Sequence, residues 1–176
     1  MKHNLHKTIG DIISNAFLSY EVVKDPACGG DQLVSLFCND LKSRGTKYAD
    51  VDIIILKDGR VKVIIEIEES DIKPVQICGK FLVSALSKYF IHDKYGAVEM
   101  DDSVLFLQIL DSSKLKIDKT SKLEQFKNIE KSIQSIIPIK NSRIDNYRLF
   151  SGDVSEFVED GGLKNELINC IREALK

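Results

Sequence analysis

Four carboxylates gather around one short turn of the 176-residue chain, with Asp50 and Asp52 before it and Glu66 and Glu68 after it. Val51 to Leu56 is rich in β-branched residues, Lys57-Asp58-Gly59 is a tight-turn signal, and Arg60 to Glu68 resumes a strand pattern, which together predict a β-hairpin. Side chains alternate faces along a strand. Val51, Ile53 and Ile55 then share one face, and Asp50, Asp52, Ile54 and Leu56 the other. On the second strand Lys62, Ile64, Glu66 and Glu68 share a face opposite Val61, Val63, Ile65 and Ile67. Paired residues point the same way, so the registers allowed by a short turn set Glu66 beside Asp52 or Asp50. Like charges this close repel and raise one another's pKa, and a cation among them reverses that penalty. Hard divalent ions prefer carboxylate oxygen. An ion held here would lower the pKa of a bound water and stabilise charge on a phosphoryl oxygen. Single acids mostly decorate solvent-facing strand ends. The pairing of Asp52 with Glu66 between such apolar strands is what argues for a site.

The elements around this hairpin follow from apolar periodicity. Ile9, Ile12, Ile13 and Phe17 predict a first helix over residues 5–20. Asp25-Pro26 and Gly29-Gly30 break the chain, and residues 32–42 read equally as strand or short helix. Pro74 suits the first turn of a second helix, whose apolar stripe is Cys78, Phe81, Leu82, Ala85, Leu86, Tyr89 and Phe90. Val104 to Leu110 is a buried strand. Ser121-Lys122-Leu123-Glu124 reads as a capping box opening a helix with Leu123, Phe126, Ile129, Ile133 and Ile136 inward. Ile144 to Phe150 is a further strand, and Leu163, Leu167, Ile171 and Leu175 mark a last helix. The order predicts one mixed α/β domain over residues 1–176.

The stretch Ala49-Asp50-Val51-Asp52-Ile53-Ile54-Ile55, the turn, and Val63-Ile64-Ile65-Glu66-Ile67-Glu68-Glu69-Ser70 resembles the PD-(D/E)xK nuclease superfamily, the restriction-endonuclease-like fold. The resemblance spans roughly residues 5–110 by this assignment of elements. It implies an α-β-β-β-α-β core, a mixed sheet flanked by helices, and metal-assisted phosphodiester hydrolysis with Mg²⁺ or Mn²⁺. Asp52 matches the motif aspartate and Glu66 the motif glutamate, both as metal ligands. Glu68 stands where the motif lysine usually stands, and Val51 where a proline usually precedes the aspartate. Some members carry Glu-x-Glu, in which the second acid orients the attacking water or takes its proton. Some use a Gln, Lys or Tyr from the following helix, which matches Gln76 and Lys80, four residues apart on one helix face. An acid from the first helix completes the metal site in some members, which points to Glu21. The resemblance also implies DNA as substrate, and a homodimer, since cutting both strands needs two sites.

Composition bounds the alternatives. Net charge is -2, so no global field draws nucleic acid. Residues 112–148 carry nine Lys/Arg against four Asp/Glu, and residues 151–176 carry three against six. Lys114, Lys116, Lys119, Lys122, Lys127, Lys131, Lys140, Arg143 and Arg148 form the basic run, a solvated helix face that can also flank DNA. No stretch approaches the ~18 apolar residues of a membrane span. The opening residues lack the apolar run of a signal peptide, and the expected location is the cytoplasm. Cys28, Cys38, Cys78 and Cys170 form no Cys-x-x-Cys and read as reduced thiols, mostly in the core. His3, His6 and His92 have no metal spacing, and Cys28-Gly29-Gly30-Asp31 reads as a plain turn without the Lys-Ser/Thr of a phosphate loop.

Overall fold

The computed structural model describes residues 4–70, 72–115, 119–159 and 162–176. His3 and Lys116 lie outside the described residues, as does the side chain of Lys114. The chain order is α1 (Asn4–Ala16), β1 (Glu21–Lys24), β2 (Val34–Phe37), β3 (Lys47–Val51), β4 (Ile53–Lys57), β5 (Arg60–Glu68), α2 (Pro74–Ala85), β6 (Tyr89–His92), β7 (Gly96–Asp111), α3 (Lys119–Ile136), β8 (Ile144–Gly152), α4 (Val154–Val158) and α5 (Gly162–Ala174). This is a mixed eight-stranded sheet with helices on both faces.

The hairpin forms because Asp58 and Gly59 both take positive φ, 50° and 74°, closing a two-residue turn between paired Lys57 and Arg60. β1 joins β4 antiparallel and β4 joins β5 antiparallel. α2 then crosses over, so β7 lies parallel to β5, and β8 parallel to β7. β7 is long enough to serve two neighbourhoods. Its first residues pair antiparallel with β6, which leads on to β2 and β3 as a second wing.

Central strands bury both faces, so their sequences are nearly continuous in apolar residues. Ile53, Ile55, Val63, Ile65 and Ile67 pack under α1, α4 and α5 with Leu5, Ile9, Ile13, Phe157, Leu167 and Ile171. Ile54, Leu56, Val61 and Ile64 pack on the opposite side with Phe81 and Ala85 of α2 and Ile133 of α3. Glu66 and Glu68 continue the alternation of Ile64 and so belong to the α2 side.

Several expectations are corrected. The first helix ends at Ala16, and Glu21 opens β1 rather than closing a helix. The apparent strand 51–56 is two strands with a bend at Asp52. Val51 therefore packs with Ile54 on the α2 side and not with Ile53. Residues 34–37 are strand. α2 stops at Ala85, and Tyr89 and Phe90 belong to β6. Cys78 and Leu86 of the supposed inward stripe are exposed, and Leu82 is 46% exposed, while Ile77 and Ser84 are buried together with the expected Phe81 and Ala85. Ser121 lies inside α3, so it does not cap it, and Ile136 is 59% exposed. The four cysteines are free, but only Cys28 is fully buried.

Candidate active site at the ends of β4 and β5

The bend at Asp52 builds the site. β4 pairs Ile53 with Ile65, and Asp52 N–H still donates to Ile65 O at 3.1 Å, which sets Asp52 beside Glu66. Beyond this point β3 leaves for the other wing, and β5 would lose its next acceptor. Asp52 supplies it with its side chain, as Ile67 N–H donates to Asp52 Oδ2 at 2.6 Å. Asp50 is turned away. It accepts from Ser35 Oγ on β2 at 2.5 Å and pairs with Lys47, three residues back on β3, at 2.7 Å. Of the two aspartates, Asp52 is the one brought to Glu66.

Glu66 is 3% exposed. Its Oε1 lies 2.5 Å from Lys80 Nζ, and its Oε2 is buried without a hydrogen-bond partner. Lys80 comes from the second turn of α2 and is close enough to Asp50 O, at 3.5 Å, to bind there as well. Gln76, one turn earlier, is spent on its own helix end: its Oε1 accepts from Lys73 N–H at 3.1 Å. Glu68 is half-buried at the end of β5.

Electrostatics follow from one ammonium among three acids. Burial, reinforced by Asp52, pushes Glu66 up to about 8, and Lys80 offsets only part of this. The offset is partial because Lys80 meets one oxygen and nothing meets the other. Burial pushes Asp52 up to about 6 against the pull of His6 and the Ile67 N–H. Burial also raises Glu68, against Lys80 and His6. Burial is the largest single effect on Lys80 and lowers its basicity, but Glu66, Glu68 and Asp52 together outweigh it, and Lys80 ends above its usual range. Burial and mutual repulsion in such a cluster favour the protonated acids, a bias that a divalent cation would reverse.

The structure adds residues that spacing did not reveal. His6, near the start of α1, lies between two acids: Nε2 is 3.6 Å from Asp52 Oδ1, and Nδ1 is 3.0 Å from Glu69 Oε1. Glu69 also accepts from the Leu5 and His6 amides, at 2.6 and 3.0 Å, and so satisfies the open N–H groups at the start of α1. Burial would raise Glu69, but the His6 side chain and these amides hold it below the usual carboxylate range. Alternation carried one residue past β5 places Glu69 opposite Glu68, toward α1. Nothing in the spacing of His6 announced its partners.

Asp25, Cys28 and Asp52 bring donor atoms within 4.8 Å of one another, the one trio of metal-binding type drawn so close among the described residues. Asp52, Glu66 and Glu68 are not gathered that tightly. In the Asp25 trio, Asp25 Oδ1 caps Cys28 N–H at 2.9 Å. Burial and the Asp52 and Asp25 charges push the Cys28 thiol up, so it stays protonated and is a poor ligand for a hard ion. Glu21 is not part of the site. It pairs with Leu56 at the far end of β4, about 13 Å along the strand from Asp52. Its nearest ionisable neighbour across the sheet is His92, with Nε2 at 3.6 Å from Glu21 Oε1. Of the basic run, Arg143 pairs with Asp102 and Arg148 with Glu130. No described helix is long and apolar enough to cross a membrane.

No known protein family, curated protein or solved structure matches the chain.

Proposed function

We propose that the protein is a metal-dependent nuclease of the restriction-endonuclease-like kind, a cytoplasmic enzyme that hydrolyses phosphodiester bonds in DNA with Mg²⁺ or Mn²⁺. The observation that carries this reading is Glu66. It is a carboxylate buried at a strand end beside Asp52, with one oxygen on Lys80 and the other unpartnered. Unpartnered buried acid oxygens are costly, and functional sites are where such costs are retained. The order α1, the β1–β4–β5 meander, α2 and parallel β7 supports the reading too. With β2, β3 and β6 set aside as a wing, it is the α-β-β-β-α-β order that the motif implies.

The donor set suits a hard divalent ion: Asp52, Glu66 and Glu68 would hold it through carboxylate oxygen. When bound, such an ion supplies an acidified water and charge stabilisation on a phosphoryl oxygen. The chain's own residues do the rest. Lys80 takes the place of the missing motif lysine from α2 rather than from β5, and meets the charge that develops on the phosphate. Glu68, half-buried and raised in pKa, accepts a proton from the attacking water. Lysines of α3 steer DNA toward the site. Two copies related by two-fold symmetry would place one site on each strand of a duplex.

A second reading is a catalytically silent module of the same architecture that binds nucleic acid or protein. The 2.5 Å contact of Lys80 with Glu66 favours it, because that ion pair can be a structural end in itself. Circular and linear DNA incubated with the protein separate the two, with Mg²⁺ or Mn²⁺ in one arm and chelator in the other. Nicking that needs the metal is the expected result. A protein that neither binds the ion nor cuts DNA or RNA is no nuclease.

A further inference from the structure

Glu66 has a counterpart on the neighbouring strand. Gln108 of β7 is its Cα partner in the parallel β5–β7 ladder and is 0% exposed. Paired residues on adjacent strands project to the same face, about 4.8 Å apart. Their predecessors two residues back, Ile64 and Phe106, both lie in the core on the α2 side, so Glu66 and Gln108 project together beneath α2.

Gln108 Nε2 is buried without a partner, as is Glu66 Oε2. One is a donor and the other an acceptor. The other end of the amide is committed, because Tyr147 O–H donates to Gln108 Oε1 at 2.6 Å. Tyr147 is itself clamped, stacked on Phe106 with ring planes 14° apart and edge-on to Phe81 of α2. With Oε1 held by Tyr147, the NH₂ is the end left to meet the carboxylate. The reversed amide would set oxygen against oxygen.

We propose that Gln108 is a positioning residue for Glu66, its amide donating to Glu66 Oε2 directly or through one water, with Tyr147 fixing the amide. A turn about the last side-chain torsion of Glu66, which is broad, or one bridging water closes the contact. Each carboxylate oxygen has two lone pairs, so an inward hydrogen bond leaves the outward lone pair for an ion. Hydrogen bonds behind a ligating carboxylate set its orientation and basicity, and losing one typically weakens metal affinity about 10- to 100-fold. The catalytic consequence rests on the nuclease reading. The hydrogen bond does not.

Two measurements test this on the full chain. In the metal-free protein, the side-chain amide signals of Gln108 in a ¹H–¹⁵N spectrum should move on Glu66→Leu and on Tyr147→Phe; signals unmoved by Glu66→Leu overturn the contact. In the second, Mn²⁺ binding is titrated calorimetrically. Gln108→Met, which keeps length and loses the donor, should bind about 10-fold more weakly or worse, and Tyr147→Phe should lie between it and wild type. Far-ultraviolet circular dichroism checks that each variant is folded. If wild type binds Mn²⁺ and folded Gln108→Met binds it equally well, positioning is refuted while the nuclease reading stands. If wild type binds no Mn²⁺, the nuclease reading fails and the amide signals still decide the contact.

Discussion

Glu66→Gln should stabilise the metal-free protein, and increasingly so as pH rises. Glu66 is pushed from 4.5 to about 8 by burial and by Asp52. The unfolded chain releases this proton near the lower value and the folded chain near the higher one. A group raised in this way contributes stability that is fully present below the unfolded value and is lost as pH rises through the folded value. At about 1.4 kcal/mol per pH unit, the interval sets a ceiling on the order of 5 kcal/mol. Asp52 titrates in the same cluster and Lys80 can shift toward the charge, so about half of that is the working figure. Glutamine has the shape of neutral glutamate and cannot ionise. The variant should match wild type near pH 5 and exceed it by about 2–3 kcal/mol near pH 9, about 5–10 °C in midpoint for a chain of this size. Lys80 loses its partner in the variant, but it is 38% exposed and can be rehydrated at small cost. Urea unfolding with chelator, at about pH 5, 7 and 9, measures the effect. Mg²⁺ added at the alkaline end should restore wild type and leave the variant unchanged. Parallel pH profiles, or a variant weaker than wild type at high pH, would show that Glu66 is a settled partner of Lys80 and not a strained acid.

Other substitutions divide the site from its surroundings. Lys80→Ala should slow cleavage on the order of 100-fold, the loss typical of one transition-state donor, while DNA binding in a gel-shift assay changes little; equal losses in both would make Lys80 a binding residue only. Asp50→Asn and Glu21→Gln should leave Mn²⁺ affinity and cleavage rate unchanged, because Asp50 serves Ser35 and Lys47 and Glu21 sits by His92; loss of metal in either would redraw the site. Asp52→Asn and Asp52→Ala should both abolish cleavage but differ in stability. An amide oxygen still accepts from Ile67 N–H, whereas alanine leaves it open at a cost of about 1–3 kcal/mol, readable in urea.

The hairpin was legible because its two signals are local. β-branched alternation defines the strands, and Asp58-Gly59 meets the positive φ that a two-residue turn demands. The pairing of Asp52 with Glu66 followed from that register. The bend at Asp52 was not legible, because no Gly or Pro marks it between Val51 and Ile53, and what separates the two strands is which partners each joins. Missing it put Val51 on the wrong face. The end of the first helix was misjudged for a similar reason: Glu21 to Lys24 is short, and its strand identity comes from β4, its distant partner. Gln76 read equally as a site residue or as part of the solvent stripe, because helical spacing puts it with Lys80, yet a first-turn glutamine can fold back on its own helix start, and here it does. His6 and Gln108 were out of reach altogether. Each is tied to the site through a partner dozens of residues away, and neither belongs to a local pattern.

Asp52 joins the architecture to the chemistry. Its main chain ends the β4–β5 ladder through the bond to Ile65, and its Oδ2 extends that ladder by one acceptor after the backbone has turned away. An acid is suited to this because its second oxygen is left over, and here that oxygen faces His6. Serine could accept one amide proton but would offer no second oxygen to His6. Asparagine could complete the ladder but would bring no charge. The same bend sends β3 to the second wing, which opens the strand end and gives Lys80 room to reach Glu66 from α2. Glu69 works from the other side, fixing the start of α1 and thereby His6 against Asp52. The acids sit on two separate pieces of backbone, the bend at Asp52 and the end of β5, each with its own reason to stay in place. Their mutual repulsion is therefore borne by the fold, and a divalent cation is the partner whose charge and oxygen preference would relieve it.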